Sequence, residues 1–329
     1  MKLNQAKTII KLLKKRIKNI IISLLLLKFK TEDSIIIFSV ARGGSTWLME
    51  ILSEIPNTCV NWEPLHQNKG VVPKKLKWGS IPYIPKDDNN TTYKKLINNI
   101  LSFKAHSEWT KKEFKKLTLK QLFKCKIVIT KFVRANLLLP YIVTNFDLKT
   151  KPILLIRHPI DVCLSQIKAF DKDFNYSKNI PNCINNERFA ENIDFLEKLE
   201  TKIELRIAKW CLNNCLLFQD IEALKKVTIV FYSDLVMNPE KETLKVFKSL
   251  NLVSDKDSKK IISSLNFRKP SKTDFNKNLI LEPIDQLNKN FNLLTKQEKD
   301  KIQNIFDHFN FKFYDAYSPY PKKNYLETV

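Results

Sequence analysis

Residues 35–48 read IIIFSVARGGSTWL, an apolar run followed by two adjacent glycines and two hydroxyl side chains. The 329-residue chain has four glycines, so the pair Gly43 and Gly44 is half of the total. Because glycine has no Cβ, such a pair allows left-handed turns and lets main-chain amides converge on an anion. The stretch therefore predicts a buried strand, an anion-binding turn and then a helix.

The helix is predicted over residues 45–55, because its apolar residues repeat at the spacing of one helical face and Pro56 follows. Ser45 and Thr46 then lie at its positive N-terminus, where hydroxyls and free amides can bind a phosphate or sulfate. Arg42 adds a permanent positive charge. An ordinary helix cap after a tight turn is the alternative interpretation.

A second phosphate-binding position is predicted within residues 152–165, which read PILLIRHPIDVCLS. Arg157 follows an apolar strand, and Ser165 falls in the next helix. An arginine at the carboxyl end of a strand and a serine about two turns into the following helix can meet over one phosphate, at the edge where open α/β sheets bind ligands. Taken by itself, Arg-x-Pro is also a common loop sequence after a strand and need not bind a ligand.

Both segments resemble the sulfotransferases that use 3'-phosphoadenosine 5'-phosphosulfate (PAPS). Their 5'-phosphosulfate loop is written P-K-x-G-T-T-W or, in carbohydrate-modifying members, R-x-G-[ST]-[ST], and residues 42–47 read RGGSTW. A nucleoside triphosphatase loop would need G-x-x-x-x-G-K-[ST], and this stretch lacks that lysine. The family's 3'-phosphate motif has the Arg157-to-Ser165 spacing, with His158 here replacing the usual acid. The resemblance implies a PAPS site built from Arg42, Gly43, Gly44, Ser45, Thr46, Trp47, Arg157, Ser165 and Tyr232.

Weaker similarities extend along the chain. Residues 232–240 look like the family's Y-E-D-L-x-x-x-P segment, which would place Tyr232 against the adenine. Trp210 and Asn214 fit a family helix only approximately, and Trp210 is predicted to be a core residue. Residues 268–271 fall where members carry a basic segment that closes over the nucleotide.

Candidates for the acceptor base lie in residues 61–66, NWEPLH, which follow the first helix after a short strand-like turn. This segment resembles the E-P-L segment of carbohydrate sulfotransferases. Glu63 could take the acceptor proton if partial burial raises its pKa. His66 is the competing base, with a more convenient ordinary pKa. Each residue also has a structural interpretation without a catalytic role. Glu63 could be an acid paired with a lysine, and His66 could be an ordinary loop residue. The catalytic candidates are therefore Arg42, Glu63 and His66.

The activity implied by the resemblance is direct in-line transfer of a sulfuryl group from PAPS to a hydroxyl or amine, without a metal or covalent intermediate. Arg42 and the loop amides would stabilise the leaving oxygen. A carbohydrate acceptor is favoured because the arginine-led loop and the E-P-L segment look most like glycan-modifying members. A tyrosyl-protein, lipid or small-alcohol acceptor is the alternative, followed by a non-catalytic basic protein that binds anions or nucleic acid.

Composition narrows the class of protein. A formal charge of +23 favours anionic partners, but no nucleic-acid reader module is recognisable, so a nucleic-acid partner is disfavoured. Six cysteines form no CxxC pair, and four histidines give no metal-ligand spacing, which argues against a metal site. Reduced cysteines predict a cytoplasmic protein.

Residues 1–30 contain nine lysines and arginines and no acid. Their apolar stretch, residues 19–27, is shorter than the about 20 residues that a membrane-spanning helix needs. This composition predicts an amphipathic helix lying on an anionic membrane surface, and a helix packed on its own domain is the alternative. A type II anchor for a Golgi-luminal enzyme is the other localisation considered. The apolar positions along one helical face are Ile10, Leu13, Ile17, Ile20 and Leu24.

The predicted organisation is a separate N-terminal helix (residues 1–30) and one α/β sulfotransferase domain (residues 31–329). Its fold is a central, mainly parallel β-sheet flanked by helices, the P-loop-like sulfotransferase fold that the resemblance implies. Residues 68–126 are polar and rich in proline and lysine, and predict an insertion with one or two helices. This insertion and the polar residues 171–186 are expected to shape the acceptor cleft. A long helical region is predicted over residues 187–226, and further helices over residues 239–250 and 295–309.

Overall fold

The computed structural model describes residue 13 and residues 16–76, 78–170, 187–273 and 282–322. One five-stranded sheet lies at its centre, with the strand order β2-β3-β1-β4-β5 and every neighbouring pair parallel. The predicted mainly parallel sheet flanked by helices is confirmed. The strands are β1 (Ser34–Phe38), β2 (Thr58–Trp62), β3 (Ile127–Phe132), β4 (Ile153–Ile156) and β5 (Thr228–Phe231).

Helices connect the strands and cover both faces of the sheet. They are α1 (residues 16–26), α2 (Ser45–Leu52), α3 (Thr91–Leu101), α4 (Leu119–Lys124), α5 (Leu139–Asn145), α6 (Pro159–Phe170), α7 (Glu187–Ala190), α8 (Ile193–Glu197), α9 (Lys202–Leu212), α10 (Cys215–Gln219), α11 (Ile221–Lys225), α12 (Tyr232–Met237), α13 (Pro239–Leu250), α14 (Asp255–Ser264), α15 (Pro283–Phe291) and α16 (Lys296–His308). Short 3-10 helices span Thr31–Asp33, Lys74–Leu76, Phe114–Lys116 and Asn136–Leu138.

The strands are continuous apolar runs because both faces of the sheet are covered, as parallel sheets require. The side chains of successive β1 residues pack into two different hydrophobic cores, one on each face of the sheet. Ile36 and Phe38 pack against α3, α5, α6, α9 and α16 on one face. Ile35 and Ile37 pack against α2, α12 and α13 on the other face.

The topology places a crevice at the carboxyl ends of β1 and β4. The chain leaves β1 towards β2 and β3 on one side of the sheet and leaves β4 towards β5 on the other side. Connections that leave neighbouring strands in opposite directions open a crevice, where open α/β sheets bind their ligands. The glycine pair follows β1 and Arg157 follows β4, so both predicted phosphate motifs border this crevice.

Two helix predictions differ in extent from the structure. The helix predicted over residues 45–55 ends at Leu52, where the Ser53 hydroxyl donates to the Met49 carbonyl at 2.7 Å. The long helical region predicted over residues 187–226 is divided into α7 to α11. Asn214 lies at one of these breaks, and its buried side-chain amide donates to the Trp210 carbonyl at 2.7 Å.

Residues 68–126 contain α3 and α4, in agreement with the predicted insertion of one or two helices. Trp210 is buried in the larger core, as predicted. Residues 171–186, expected to shape the acceptor cleft, lie outside the described residues. In the part of the chain that the structure describes, no helix combines the length and apolarity needed to cross a bilayer.

Candidate active site

The turn after β1 needs glycine at both positions of the pair. Gly44 has a φ of 94°, in the left-handed region, and a Cβ there would lie 2.6 Å from the Tyr232 ring. A Cβ on Gly43 would lie 2.4 Å from the Ser39 hydroxyl oxygen and 2.9 Å from the Val40 carbonyl oxygen. A side chain at either position would therefore force backbone or ring atoms apart.

The N-terminus of α2 has the features of an anion site. Its N-cap residue is Gly44, so no side chain caps the first-turn amides. Ser45 and Thr46 are buried at this terminus, and the buried hydroxyl of Ser39 has no hydrogen-bond partner among the described residues. First-turn amides and hydroxyls pointing into one turn suit a phosphate or sulfate group.

The two predicted phosphate motifs touch each other. The guanidinium of Arg157 donates from Nη1 to the Arg42 carbonyl at 2.9 Å and from Nε to an Asp161 carboxylate oxygen at 2.5 Å. The Arg42 Nε in turn donates to the Ser165 hydroxyl at 3.0 Å. Segments separated by more than 100 residues thus form one cationic corner at the crevice between β1 and β4.

Tyr232, the first residue of α12, is packed into this corner. The Arg157 guanidinium lies 4.2 Å from the centre of its ring, and Trp47 meets the ring edge-on at 6.1 Å. Its hydroxyl accepts a hydrogen bond from Gln286 at 2.6 Å. The ring therefore supports both the arginine and the glycine turn.

Glu63 lies directly after β2, with a left-handed φ of 43°. Its carboxylate accepts a hydrogen bond from the Lys131 ammonium at 2.7 Å, and the same ammonium donates to the Thr46 hydroxyl at 3.1 Å. Lys131 is 1% exposed. Burial lowers the pKa of Lys131, whereas the charge of Glu63 opposes that shift. One buried cation thus links the glycine turn to the candidate base.

His66, the other candidate base, is held by the backbone, whereas Glu63 is held by a buried lysine. Its Nδ1 accepts the backbone N–H groups of Asn68 and Lys69, each at 3.3 Å, so the proton of the neutral ring belongs on Nε2. Partial burial and then the charge of Arg134 lower the pKa of His66. The ring is therefore neutral at pH 7, and its accepting nitrogen already has partners.

Further cations lie around Glu63. The Lys112 ammonium lies 3.5 Å from the ring centre of Trp62 and 3.9 Å from that of Trp109, and burial lowers its pKa to about 8. The buried Nε of Arg134 has no hydrogen-bond partner among the described residues, and burial lowers the pKa of Arg134. The charge of Glu63 opposes both shifts. The space beside the carboxylate is therefore cationic and aromatic.

The sequence profile of the sulfotransferase domain matches residues 32–319. The chain belongs to the sulfotransferase domain family. It resembles the crystal structure of mouse sulfotransferase SULT7A1 in complex with PAP, at 15% sequence identity and a TM-score of 0.43, over 87% of this chain and 89% of that chain. It also resembles the sulfotransferase domain of the Synechococcus PCC 7002 olefin synthase, at 15% identity and a TM-score of 0.43, over 86% and 96% of the two chains. No curated protein matches the sequence.

In this sulfotransferase, the predicted residues form two adjoining groups. The first group follows β1, β4 and β5. The second group follows β2 and contains Glu63 and His66, and Lys131 joins it to the first through Thr46. The first group comprises Arg42, Gly43, Gly44, Ser45, Thr46, Trp47, Arg157, Ser165 and Tyr232.

The predicted basic segment, residues 268–271, lies close in sequence to a contact with the glycine turn after β1. The Thr273 carbonyl accepts a hydrogen bond from the Arg42 Nη1 at 3.0 Å. Arg268 itself forms an exposed ion pair with Glu282 at 3.1 Å.

Sequence reasoning missed Lys131 as a site residue of this sulfotransferase. The signal was present, because the lysine interrupts an apolar β-strand in IVITKF. A charged residue on a buried strand needs a partner. That partner, Glu63, is 68 residues away in sequence and becomes visible only when β2 pairs with β3.

Proposed function

We propose that this sulfotransferase transfers a sulfuryl group from PAPS to a hydroxyl of a carbohydrate acceptor. The observation that carries the proposal is the contact between the two phosphate motifs. The Arg157 Nη1 donates to the Arg42 carbonyl at 2.9 Å, and the Arg42 Nε donates to the Ser165 hydroxyl at 3.0 Å. A ligand with phosphate groups at two ends, as PAPS has, suits a cationic corner assembled from two separate anion sites.

The residues fit such a ligand. The glycine turn, the uncapped amides of α2 and the hydroxyls of Ser45 and Thr46 would hold the 5'-phosphosulfate. Arg157 and Ser165 would hold the 3'-phosphate, with Tyr232 on the adenine side of the corner. Trp47 and Tyr232 support this group by packing edge to face.

Bound PAPS supplies an activated sulfuryl group whose leaving oxygen belongs to a phosphate. The acceptor oxygen forms a bond to sulfur while the bond from sulfur to the phosphate oxygen breaks, and the electron pair stays on 3',5'-phosphoadenosine. Glu63 takes the acceptor proton. Arg42, the amides of α2 and Lys131 stabilise the negative charge that develops on the sulfuryl and leaving oxygens. These residues position and stabilise, so the chain itself need not form a covalent bond.

Glu63 is proposed as the base in preference to His66. The Nδ1 lone pair of His66 is engaged by two backbone N–H groups, and its Nε2 carries the proton. One carboxylate oxygen of Glu63 accepts from Lys131, which leaves the second oxygen for an acceptor hydroxyl. The same lysine donates to Thr46, so the base lies next to the proposed sulfuryl position.

A carbohydrate acceptor is supported by the arginine-led loop and the Glu63-Pro64-Leu65 segment. The cationic surroundings of Glu63 add support for a glycan that carries carboxylate or sulfate groups, because Lys112 and Arg134 could each pair with such an anion. Acceptors built from a tyrosyl peptide, a lipid or a small alcohol would use the same donor machinery.

Transfer of radioactive sulfur from labelled PAPS tests the proposal. The purified protein is incubated with an acidic polysaccharide, a neutral polysaccharide, a tyrosyl peptide, a glycolipid and a phenol. We expect label mainly in the acidic polysaccharide and its loss with Glu63→Gln. Label in the peptide, lipid or phenol instead would contradict the carbohydrate assignment. No transfer to any acceptor, together with no binding of 3',5'-phosphoadenosine, would contradict the activity.

A further inference from the structure

We propose that the outer surface of α1, extended by α4, docks on an anionic lipid bilayer. Large apolar side chains follow the outer side of α1 at alternating spacings of three and four residues, and each is 52% to 63% exposed. This spacing marks a single helical face. These residues, called the outer stripe below, are Leu13, Ile17, Ile20, Leu24 and Leu27.

A different set of residues attaches α1 to the protein. Ile22, Leu26 and Phe29 are buried in a core cluster with Phe114 and Leu122. Helix α1 therefore packs on its own domain and still leaves the outer stripe uncovered by the described residues. The two interpretations of this segment, a helix packed on its domain and a helix on a membrane, are compatible because they use opposite faces.

Helix α4 enlarges the apolar surface beside the end of α1. The Lys28 ammonium donates to the carbonyls of Leu122 and Phe123, both at 3.1 Å, which holds the two segments together. Phe123 is 63% exposed and Leu119 is 45% exposed. The outer stripe with Phe123 and Leu119 forms a surface that is too apolar for an ordinary solvent-facing helix pair.

The positive charge of the residues around the outer stripe favours an anionic bilayer as the partner. Residues 1–30 carry nine basic side chains and no acid, and residues 119–126, LKQLFKCK, add three lysines and no acid. An apolar stripe bordered by lysine and arginine is the arrangement that buries in the interface of an anionic bilayer, where the anionic headgroups attract the basic side chains. A second copy of the chain would bring the same positive charge to this surface, which disfavours self-association.

The position of this surface is compatible with turnover on the membrane. Helix α1 precedes β1 and α4 precedes β3, so both lead to the amino ends of the parallel strands. The candidate active site lies at the carboxyl ends, about 16 Å away along a five-residue strand. Docking would therefore leave the crevice between β1 and β4 open to an acceptor in solution.

Vesicle co-sedimentation of the full chain tests the proposal. The probes are phosphatidylcholine vesicles and vesicles in which about a third of the lipid is phosphatidylserine. We expect binding to the anionic vesicles that weakens as salt is raised. The combined variant Ile20→Ser, Leu24→Ser and Phe123→Ser should bind about a hundredfold more weakly, because it removes apolar area from the bilayer interface.

The matched control is Leu293→Ser, which changes a residue that is 68% exposed and outside this surface. It should bind anionic vesicles as the unmodified protein does. Melting temperature and binding of 3',5'-phosphoadenosine establish that each variant is folded. The proposal is overturned if the unmodified protein does not bind anionic vesicles, if the triple variant binds them equally well, or if the surface instead forms a dimer that the triple variant abolishes.

Discussion

Gly44 shows how a single residue constrains the site. Its φ of 94° is left-handed, and a Cβ would lie 2.6 Å from the ring of Tyr232. We expect Gly44→Ala to lower the free energy of unfolding by about 2 kcal/mol, from backbone strain and displacement of the ring. Chemical denaturation measures this loss. Gly79→Ala is the control, since Gly79 also has a positive φ of 68° but is exposed and outside the site. Equal losses would contradict the role of the tyrosine contact.

The assignment of the base is also a residue-scale prediction. We expect Glu63→Gln to lower kcat by about two to four orders of magnitude, because the amide cannot accept the acceptor proton. His66→Gln should lower kcat by less than about tenfold, because its Nδ1 is engaged by the backbone. Steady-state kinetics with labelled PAPS measures both, and calorimetry with 3',5'-phosphoadenosine checks that binding is kept. A larger loss with His66→Gln than with Glu63→Gln would reverse the assignment.

At the scale of elements, the strands carrying the phosphate motifs were the easiest to predict. Apolar runs bounded by glycine or Arg-x-Pro mark β1 and β4, and helix α13 spans the predicted residues. Strand β2 was predicted only as a short strand-like turn. Its sequence, TCVNW, contains the polar Asn61, which is fully buried. The Asn61 side-chain amide donates to the Ile100 carbonyl at 2.8 Å. That partner comes from tertiary packing, so no local pattern reveals it.

His158 gives the turn between β4 and α6 a pH-dependent stability. Its Nδ1 accepts the Ile160 N–H at 3.1 Å, and its Nε2 donates to the Asp315 carbonyl at 2.9 Å. Complete burial lowers the pKa of His158 from 6.5 to about 4. The unfolded chain therefore binds a proton at a pH where the folded protein does not. This histidine stabilises the fold fully above pH 6.5, and its contribution falls as pH decreases towards 4.

We expect His158→Asn to remove this part of the pH dependence. The asparagine side chain can still accept the Ile160 N–H, and it does not titrate. Between pH 6.5 and 4 the unmodified protein should lose about 3 kcal/mol more stability than the variant. Urea denaturation across this range measures the difference. Parallel pH profiles for the two proteins would show that His158 is not the titrating group.

For the whole molecule, the order of the motifs was enough to predict the fold and the position of the crevice. Arg42 and Arg157 were both placed after strands, and the carboxyl ends of parallel strands meet at one edge. The direct contact between these motifs, through Ser165 and the Arg42 carbonyl, depends on side-chain packing and was not predictable at this detail.

The N-terminal helix illustrates a second limit of sequence reasoning. Residues 19–27 are apolar on more than one helical face, so the pattern could not tell the docked face from the exposed face. The structure buries Ile22 and Leu26 and exposes Ile20 and Leu24. Packing against Phe114 and Leu122, which are distant in sequence, determines which face of the helix is buried.

Recognition of PAPS is the central claim for the whole molecule, and calorimetric titration with 3',5'-phosphoadenosine tests it most directly. We expect this nucleotide to bind about a hundredfold more tightly than 5'-AMP, without magnesium, because Arg157 and Ser165 are the proposed ligands of its 3'-phosphate. Ser165→Ala should remove about tenfold of that preference, whereas Ser263→Ala, at an exposed position of helix α14, should leave it unchanged. Equal affinity for the two nucleotides, or a preference that requires magnesium, would contradict a PAPS site.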